Sequence, residues 1–162
     1  MALGAGAWAA PEAKLQATTL NGSKVELSGE NRGRRLLMFG FRHQDQGVLE
    51  DWRNGLGLMG PDPRWLEIPV IPVDFPLAQD FIRKSMRDRF KGRALEAHLA
   101  PLFADPAMVS KRYGLSPSQP ALVVLDQHGH VLARASGRYE PGKAELLLAA
   151  LNNAGGARAP RS

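Results

Sequence analysis

The sequence predicts an α/β domain in which a mixed β-sheet carries helices on both faces and follows an N-terminal β-hairpin. Strand-length apolar segments alternate with segments of helical periodicity along the chain. The consecutive apolar residues 36–39 are typical of a strand that is covered on both faces. Residues 121–151 read as two strands joined by a tight turn and followed by a helix.

The hairpin is the first element. Polar and apolar residues alternate over residues 14–19, and the Asn21-Gly22 dipeptide that follows is a strong signal for a tight hairpin turn. Residues 24–27 supply the returning strand.

The main strand is predicted over residues 34–41 and is followed by a helix. Apolar side chains recur there at helical spacing until a cluster of glycines and prolines ends the run at residues 57–63. The members of this apolar stripe are Val48, Leu49, Trp52, Leu56 and Met59.

Residues 67–73 predict a strand at an edge of the sheet or with irregular pairing, because Pro69 and Pro72 cannot donate hydrogen bonds to a ladder. Residues 77–89 follow with helical periodicity. The apolar side of this helix, opposite most of its basic residues, comprises Met86, Phe90 and either Phe81 or Ile82.

A short strand is predicted over residues 101–104, before a short helix. Asp105-Pro106 suits a helix start, with the carboxylate as the cap and the proline in the first turn. Val109 and Tyr113 would bury this helix.

The C-terminal unit consists of two antiparallel strands and a helix. The strands are predicted over residues 121–125 and 130–135, with the turn at 127–129, where Asp126 serves as a turn-former. The amphipathic helix is predicted over residues 143–151.

The amino-acid composition limits the kinds of reaction and partner that are possible. The chain has no cysteine, which excludes disulfides, thiolate nucleophiles, thiolate metal sites and iron–sulfur clusters. The net charge of +5 favours an acidic partner or association with an anionic surface, but acidic residues interleave the basic ones, so no specific nucleic-acid binding is expected. No apolar run is long enough for a transmembrane helix.

The two ends of the chain differ in composition from the rest. Residues 1–12 are interpreted either as a flexible tail or as the remnant of a signal peptide, since Ala7-Trp8-Ala9 has the form of a cleavage site. The second interpretation favours an exported protein of the periplasm or cell envelope. Residues 13–153 are predicted to form one domain, and residues 154–162 a disordered tail.

Three segments resemble the thioredoxin-like superfamily, particularly its peroxiredoxin and thiol-disulfide oxidoreductase branches. They are the hairpin at residues 20–28, the strand and short helix at 101–115, and the proline-led strand with its turn at 119–131. Together they span most of residues 15–151. The resemblance implies a thioredoxin-like sheet.

The departure from the family lies at residues 41–47. The resemblance places the redox cysteines near Gln44 and Gly47, at the start of the helix that follows the main strand. An amide and a glycine cannot perform thiol exchange or peroxide reduction. The sequence therefore predicts the scaffold without the family's reaction.

A second resemblance is confined to short strings. Residues 65–71, residues 82–87 and Gly137 are similar to a cysteine-free thioredoxin-like group that includes the mitochondrial assembly factor for ATP synthase. This similarity implies a chaperone or assembly role.

The predicted binding site joins two parts of the chain. In the fold that the sequence resembles, the proline corresponding to Pro120 is cis, which leaves the backbone around Gln119 free to bond an extended peptide; a purely structural role for Pro120 is the alternative. The opposite part is a helix start that attracts anionic groups. Its candidate residues are Arg42, His43, Gln44, Gln46 and Gly47.

The leading hypothesis is a non-redox protein-binding chaperone or assembly factor, with no catalytic residue, no metal site and no cofactor. All four histidines are expected at the surface, because no cluster has the spacing of metal ligands. Two alternatives stay open. One is an enzyme in which Arg42 and His43 handle an anionic substrate, and the other is a structural component of a cell-envelope assembly.

Overall fold

The computed structural model describes residues 14–28, 31–58 and 62–153. The predicted tails at 1–12 and 154–162, and Met59, which was predicted to belong to the first helix, lie outside these residues. The elements in chain order are β1 Gln16–Thr18, β2 Lys24–Glu26, β3 Arg35–Gly40, α1 Asp45–Leu56, β4 Trp65–Ile71, α2 Pro76–Phe90, β5 Leu102–Phe103, α3 Pro106–Tyr113, β6 Ala121–Leu125, β7 Val131–Ser136 and α4 Pro141–Asn152.

Five strands form a mixed sheet in the order β5-β4-β3-β6-β7. The first three strands in this order are parallel, and β6 and β7 are antiparallel to their neighbours. β1 and β2 form the separate hairpin that was predicted, paired from Gln16 with Glu26 to Thr18 with Lys24. The predicted fold class is therefore confirmed.

The sheet separates two apolar cores. On one face, Leu49 and Trp52 of α1 pack with Leu147 of α4. The other face is covered by α3 and by the hairpin, whose Leu27 is fully buried. The Tyr113 hydroxyl donates a hydrogen bond of 2.7 Å to the Leu27 carbonyl and so fastens the hairpin to α3.

Of the two alternatives predicted for the strand that contains Pro69, the edge position is wrong and irregular pairing is observed. β4 is not an edge strand, because it lies between β3 and β5. The N–H of Glu67 faces the side of β4 on which β5 lies and donates to the His98 carbonyl. Pro69 is two residues further along the strand, so the N–H that proline lacks would face the same side. Pairing there is interrupted between a bridge at Leu99 and the start of β5 at Leu102, so the proline is tolerated.

The helix ends follow local chemistry. The Asp105 carboxylate accepts a hydrogen bond from the Ala107 N–H at the start of α3, as predicted. α1 begins at Asp45, three residues before the apolar stripe, and ends before Gly57, whose φ of 74° is the left-handed conformation that glycine adopts without strain.

Trp52 connects α1 to the end of β7. Its indole N–H donates a hydrogen bond of 2.9 Å to the Gly137 carbonyl. The Tyr139 ring meets the Trp52 ring edge-on, with the centroids 5.2 Å apart. Tyr139 also lies against Gly55 of α1, where a Cβ atom would overlap the tyrosine ring.

Among the described residues, no helix has the length and apolar character needed to cross a membrane.

The contact between Tyr139 and Gly55 can be tested with two glycine substitutions in the same helix. Gly47→Ala adds a methyl group that meets no atom within 4 Å, so it should stabilise the fold by about 0.5–1 kcal/mol through helix propensity. Gly55→Ala should instead destabilise it by roughly 1–2 kcal/mol, because the Tyr139 ring must move away from Trp52.

Urea denaturation of both variants measures these changes. In a Tyr139→Ala background, Gly55→Ala should become stabilising, since the obstacle has been removed. Equal stabilisation by the two alanine substitutions in the wild-type background would contradict the close contact.

Candidate functional site

A cleft of about 370 Å³ opens where the main strand ends. β3 and β4 are parallel, so their carboxyl ends meet at one edge of the sheet, where Gly40 pairs with Pro69. The segment after β3 forms one wall, and α2, which follows β4, forms the other. The cleft residues used below are Arg42, His43, Gln46, Glu67, Ile82, Met86, Arg89 and Phe90.

The buried Asp45 carboxylate organises the first wall. One oxygen accepts hydrogen bonds of 3.0 Å from the backbone N–H groups of Phe41 and Arg42. The other accepts two from the Arg42 guanidinium, at 3.2 and 2.9 Å. The start of α1 therefore carries an anion of its own, and the charge of Arg42 is already paired. Asp45 was not among the site residues predicted from the sequence.

The inner side of α2 is apolar and forms the second wall. Ile82, Met86 and Phe90 follow at intervals of four residues and line the cleft. Phe81 is 71% exposed, so Ile82, and not Phe81, is the residue that completes the apolar side of α2. α2 contributes no fully buried residue, so it lies against the body of the protein without being part of its core.

A buried ion pair lies beside the cleft, and its carboxylate, Glu67, is part of the cleft lining. Arg53 Nε of α1 is 2.8 Å from Glu67 Oε1 of β4, and neither atom has another hydrogen-bond partner among the described residues. Burial raises the pKa of Glu67, and the attraction of Arg53 offsets part of that rise. The sequence signal was a single carboxylate within the apolar strand at residues 65–71.

The rim of the cleft is polar and partly basic. Arg89 and His43 are both exposed and line it. The His43 ring has no hydrogen bond within the described part of the chain, so no group there orients it as a general base. Apolar walls and a cationic rim are suited to holding an apolar group with negative charge beside it.

Three of the predicted site residues line the cleft, and the others lie outside its lining. Arg42, His43 and Gln46 lie together in the cleft. Gln44 and Gly47 occupy the N-cap and the first turn of α1, where both are exposed and outside the cleft lining.

Gln119 and Pro120 do not line the cleft. Phe39 pairs with Ala121, so Pro120 lies level with Gly40 at the end of the main strand, on the side of β3 away from β4. Pro120 is buried, and its carbonyl accepts a hydrogen bond of 2.9 Å from the Gly137 N–H. No peptide bond among the described residues is cis, so the bond between Gln119 and Pro120 is trans.

The expectation that every histidine lies at the surface is wrong for His98. Its side chain is buried and stacks on the Trp65 ring, with the centroids 4.0 Å apart. Its Nδ1 lies 3.0 Å from the Trp65 carbonyl oxygen. His98 is therefore part of the core beside β4. The described ranges contain no group of three or more acidic or histidine side chains that could hold a metal ion.

Comparisons with known proteins identify the fold. No protein-family model and no curated protein sequence matches the chain. Among solved structures, it is similar to the exposed lipoprotein thioredoxin of Streptococcus pneumoniae, with a TM-score of 0.54 and 16% identity over 87% of this chain and 99% of that one. The N-terminal domain of PilB from Neisseria gonorrhoeae gives a TM-score of 0.55 with 9% identity over 84% and 87% of the two chains.

A peroxiredoxin-like protein from Aquifex aeolicus gives a TM-score of 0.52 with 16% identity over 85% of this chain and 82% of that one. These similarities show a thioredoxin-like fold, and the sequence contains no cysteine. The positions at which the resemblance places the redox cysteines carry Gln44 and Gly47.

The buried carboxylate predicts a specific dependence of stability on pH. Because the pKa of Glu67 is raised in the folded state, the native protein binds more protons than the unfolded chain between the usual value of 4.5 and the raised value. Glu67 therefore makes folding less favourable as pH rises through that window, and its effect is constant above it.

Urea denaturation of the wild type and of Glu67→Gln across this pH range isolates the effect. The stability of the wild type relative to the variant should fall as pH rises from about 4.5. A relative stability that rises with pH would show that attraction to Arg53 outweighs the cost of burial.

Proposed function

Starting from a thioredoxin-like fold that contains no cysteine, we propose that this protein is a non-redox binding protein that acts as a chaperone or assembly factor. Its partner would be an extended segment of another protein that inserts one bulky apolar side chain into the cleft. Acidic residues beside that side chain would face the basic rim. The observation that carries this proposal is the open apolar cleft at the end of the main strand.

The size and lining of the cleft support a side-chain anchor. A volume of about 370 Å³ is at the small end of ligand pockets and can accept one large side chain. Ile82, Met86 and Phe90 provide apolar contacts for it. Burying a leucine or phenylalanine side chain contributes about 1.5–3 kcal/mol, which is roughly a 10- to 150-fold gain in affinity.

Charge complementarity supports acidic residues beside the anchor. Arg89 lines the cleft, is exposed and forms no ion pair within the described ranges. The whole chain carries a net charge of +5. Acidic flanking residues would therefore accelerate association and orient the bound segment.

The site gives less support to an enzyme that acts on an anionic substrate. Asp45 already pairs with Arg42, and no group among the described residues orients His43. The described cleft residues contain no nucleophile held by a neighbouring base. A structural role in a cell-envelope assembly would use the outer surface of the protein, and the experiment below distinguishes it from use of the cleft.

Selection from a random peptide library with the purified protein tests the proposal. The selected peptides should carry a bulky apolar residue flanked by aspartate or glutamate, and fluorescence anisotropy should confirm their binding. Met86→Asp should weaken binding at least about tenfold, because it places a charge in the apolar wall. The variant should still fold, since α2 contributes no fully buried residue.

The matched control is Leu146→Asp, which changes a leucine of α4 that is 70% exposed and lies outside the cleft. It should leave peptide affinity unchanged. Suppression of the aggregation of heat-unfolded citrate synthase by the wild type, and its loss in Met86→Asp, would support the chaperone role. Equal peptide binding by Met86→Asp and the wild type would exclude the cleft as the binding site.

A further inference from the structure

The apolar wall of the cleft leads to a polar region. A smaller cavity of about 100 Å³, called here the side cavity, adjoins the cleft. Glu67, Met86 and Phe90 line both spaces, whereas Ile82 lines the cleft alone and Arg53 lines the side cavity alone. The apolar wall of α2 therefore extends from the cleft to the place where the two spaces meet, and the carboxylate of Glu67 lies there.

One oxygen of this carboxylate is without a hydrogen-bond donor. The Glu67 side chain is only 8% exposed, and its Oε1 is enclosed and faces Arg53. Oε2 accepts no hydrogen bond from the described residues and is not fully enclosed. Since Glu67 lines the cleft and the side cavity, Oε2 is open to these spaces. A buried carboxylate oxygen without a donor is costly, so this atom is an acceptor available to a ligand.

The charges around Glu67 favour a neutral donor over a cation. The acidic residues that line the two spaces, Glu50 and Glu67, are matched by Arg53 and Arg89, and Arg42 is already paired. The site therefore has no net negative charge to attract a lysine or arginine side chain. Such a cation would also have to lose its hydration beside the apolar wall. A neutral N–H or O–H group avoids both costs.

We propose that the cleft selects an aromatic side chain that ends in a donor, tryptophan or tyrosine, whose N–H or O–H group donates a hydrogen bond to Glu67 Oε2. This inference rests on the proposed function and specifies the anchor of the bound segment. The aromatic ring lies against Met86 and Phe90, where sulfur–aromatic and aromatic contacts add to apolar burial. Leucine and phenylalanine fill the same space but leave the carboxylate oxygen without water and without a donor.

Indole and benzothiophene test this selectivity without a peptide. The two bicyclic molecules have similar shapes, but only indole carries an N–H donor. NMR titration of the wild type with each molecule should shift the resonances of the cleft residues and give two affinities. The ratio of the indole affinity to the benzothiophene affinity should be at least about tenfold higher for the wild type than for Arg53→Met/Glu67→Leu.

The double variant removes the acceptor and leaves no buried charge unpaired. Replacing both members of a buried ion pair with apolar residues of similar volume is often neutral or stabilising, so the variant should fold. The matched control is Asp51→Asn, which changes an exposed carboxylate of α1 outside both linings. It should keep the wild-type ratio.

The pKa of Glu67 gives a readout that needs no variant. Burial raises this pKa in the free protein. A donor held at Oε2 favours the charged carboxylate, so saturation with indole should lower the pKa of Glu67. Benzothiophene removes water without supplying a donor and should raise it. Carbon-13 NMR of the Glu67 carboxyl group across a pH titration measures both shifts.

Peptides extend the test to the partner. Those selected on the wild type should carry tryptophan or tyrosine as the anchor. Replacing a tryptophan anchor with 3-benzothienylalanine, which has the same shape but no N–H group, should weaken binding to the wild type by about tenfold or more. The same replacement should have little effect on binding to Arg53→Met/Glu67→Leu.

Three results would overturn the proposal. The first is a failure of indole to shift the cleft resonances, and the second is an equal affinity ratio in the wild type and the double variant. The third is a set of peptides that bind in the cleft, as judged by their loss in Met86→Asp, with no preference for tryptophan or tyrosine over leucine and phenylalanine. This third result would leave the proposed function intact. Selective binding of indole without any peptide binding would support the donor selectivity and contradict the proposed function.

Discussion

The burial of β3 on both faces is the constraint on which the rest of the structure depends. Leu37 and Phe39 point into one core, and Leu36 and Met38 point into the other. Each face must therefore be covered, and the strand is paired on both sides, in parallel with β4 and in antiparallel with β6. Helices on both faces and a mixed sheet follow from this arrangement.

The same constraint places the cleft. The chain leaves β3 at Gly40, where a Cβ atom would lie 3.1 Å from the Leu49 side chain, so α1 approaches the strand closely at this point. The parallel partner β4 ends at the same edge. The segment after β3 and the segment after β4 therefore leave a gap between them, which is the cleft. α2 forms one wall of this gap but does not fill it, because α2 contributes no fully buried residue.

Local signals predicted the fold and long-range contacts decided the site. The apolar run of β3 predicted a buried strand, and the Asn21-Gly22 dipeptide predicted a hairpin turn. Both predictions are correct because these elements depend on residues that are close together in the sequence. The interior position of β4 could not be predicted from Pro69, since it depends on where pairing with a distant segment is interrupted. Of the candidate site, Arg42 and His43 reached the cleft because they follow the main strand directly.

The other residues of the site could not be located from the sequence, because their positions depend on contacts between distant segments. Family resemblance placed Pro120 opposite the helix start, and the register sets it level with Gly40 at the end of β3, but outside the lining of the cleft. The partner of Glu67 is an arginine fourteen positions earlier, on a helix that packs across the sheet. The spacing of these two residues in the sequence does not predict that they form an ion pair.

The two glycines of α1 have a consequence for the order in which the chain acquires structure. Gly47 and Gly55 each cost a twelve-residue helix about 0.5–1 kcal/mol relative to alanine, so this segment is a weak helix in isolation. Its Trp52 finds a hydrogen-bond acceptor at Gly137 and an aromatic neighbour in Tyr139. During synthesis on the ribosome, we therefore expect α1 to stay unformed until residue 139 has emerged, so that one of the first helices in the chain becomes ordered among the last.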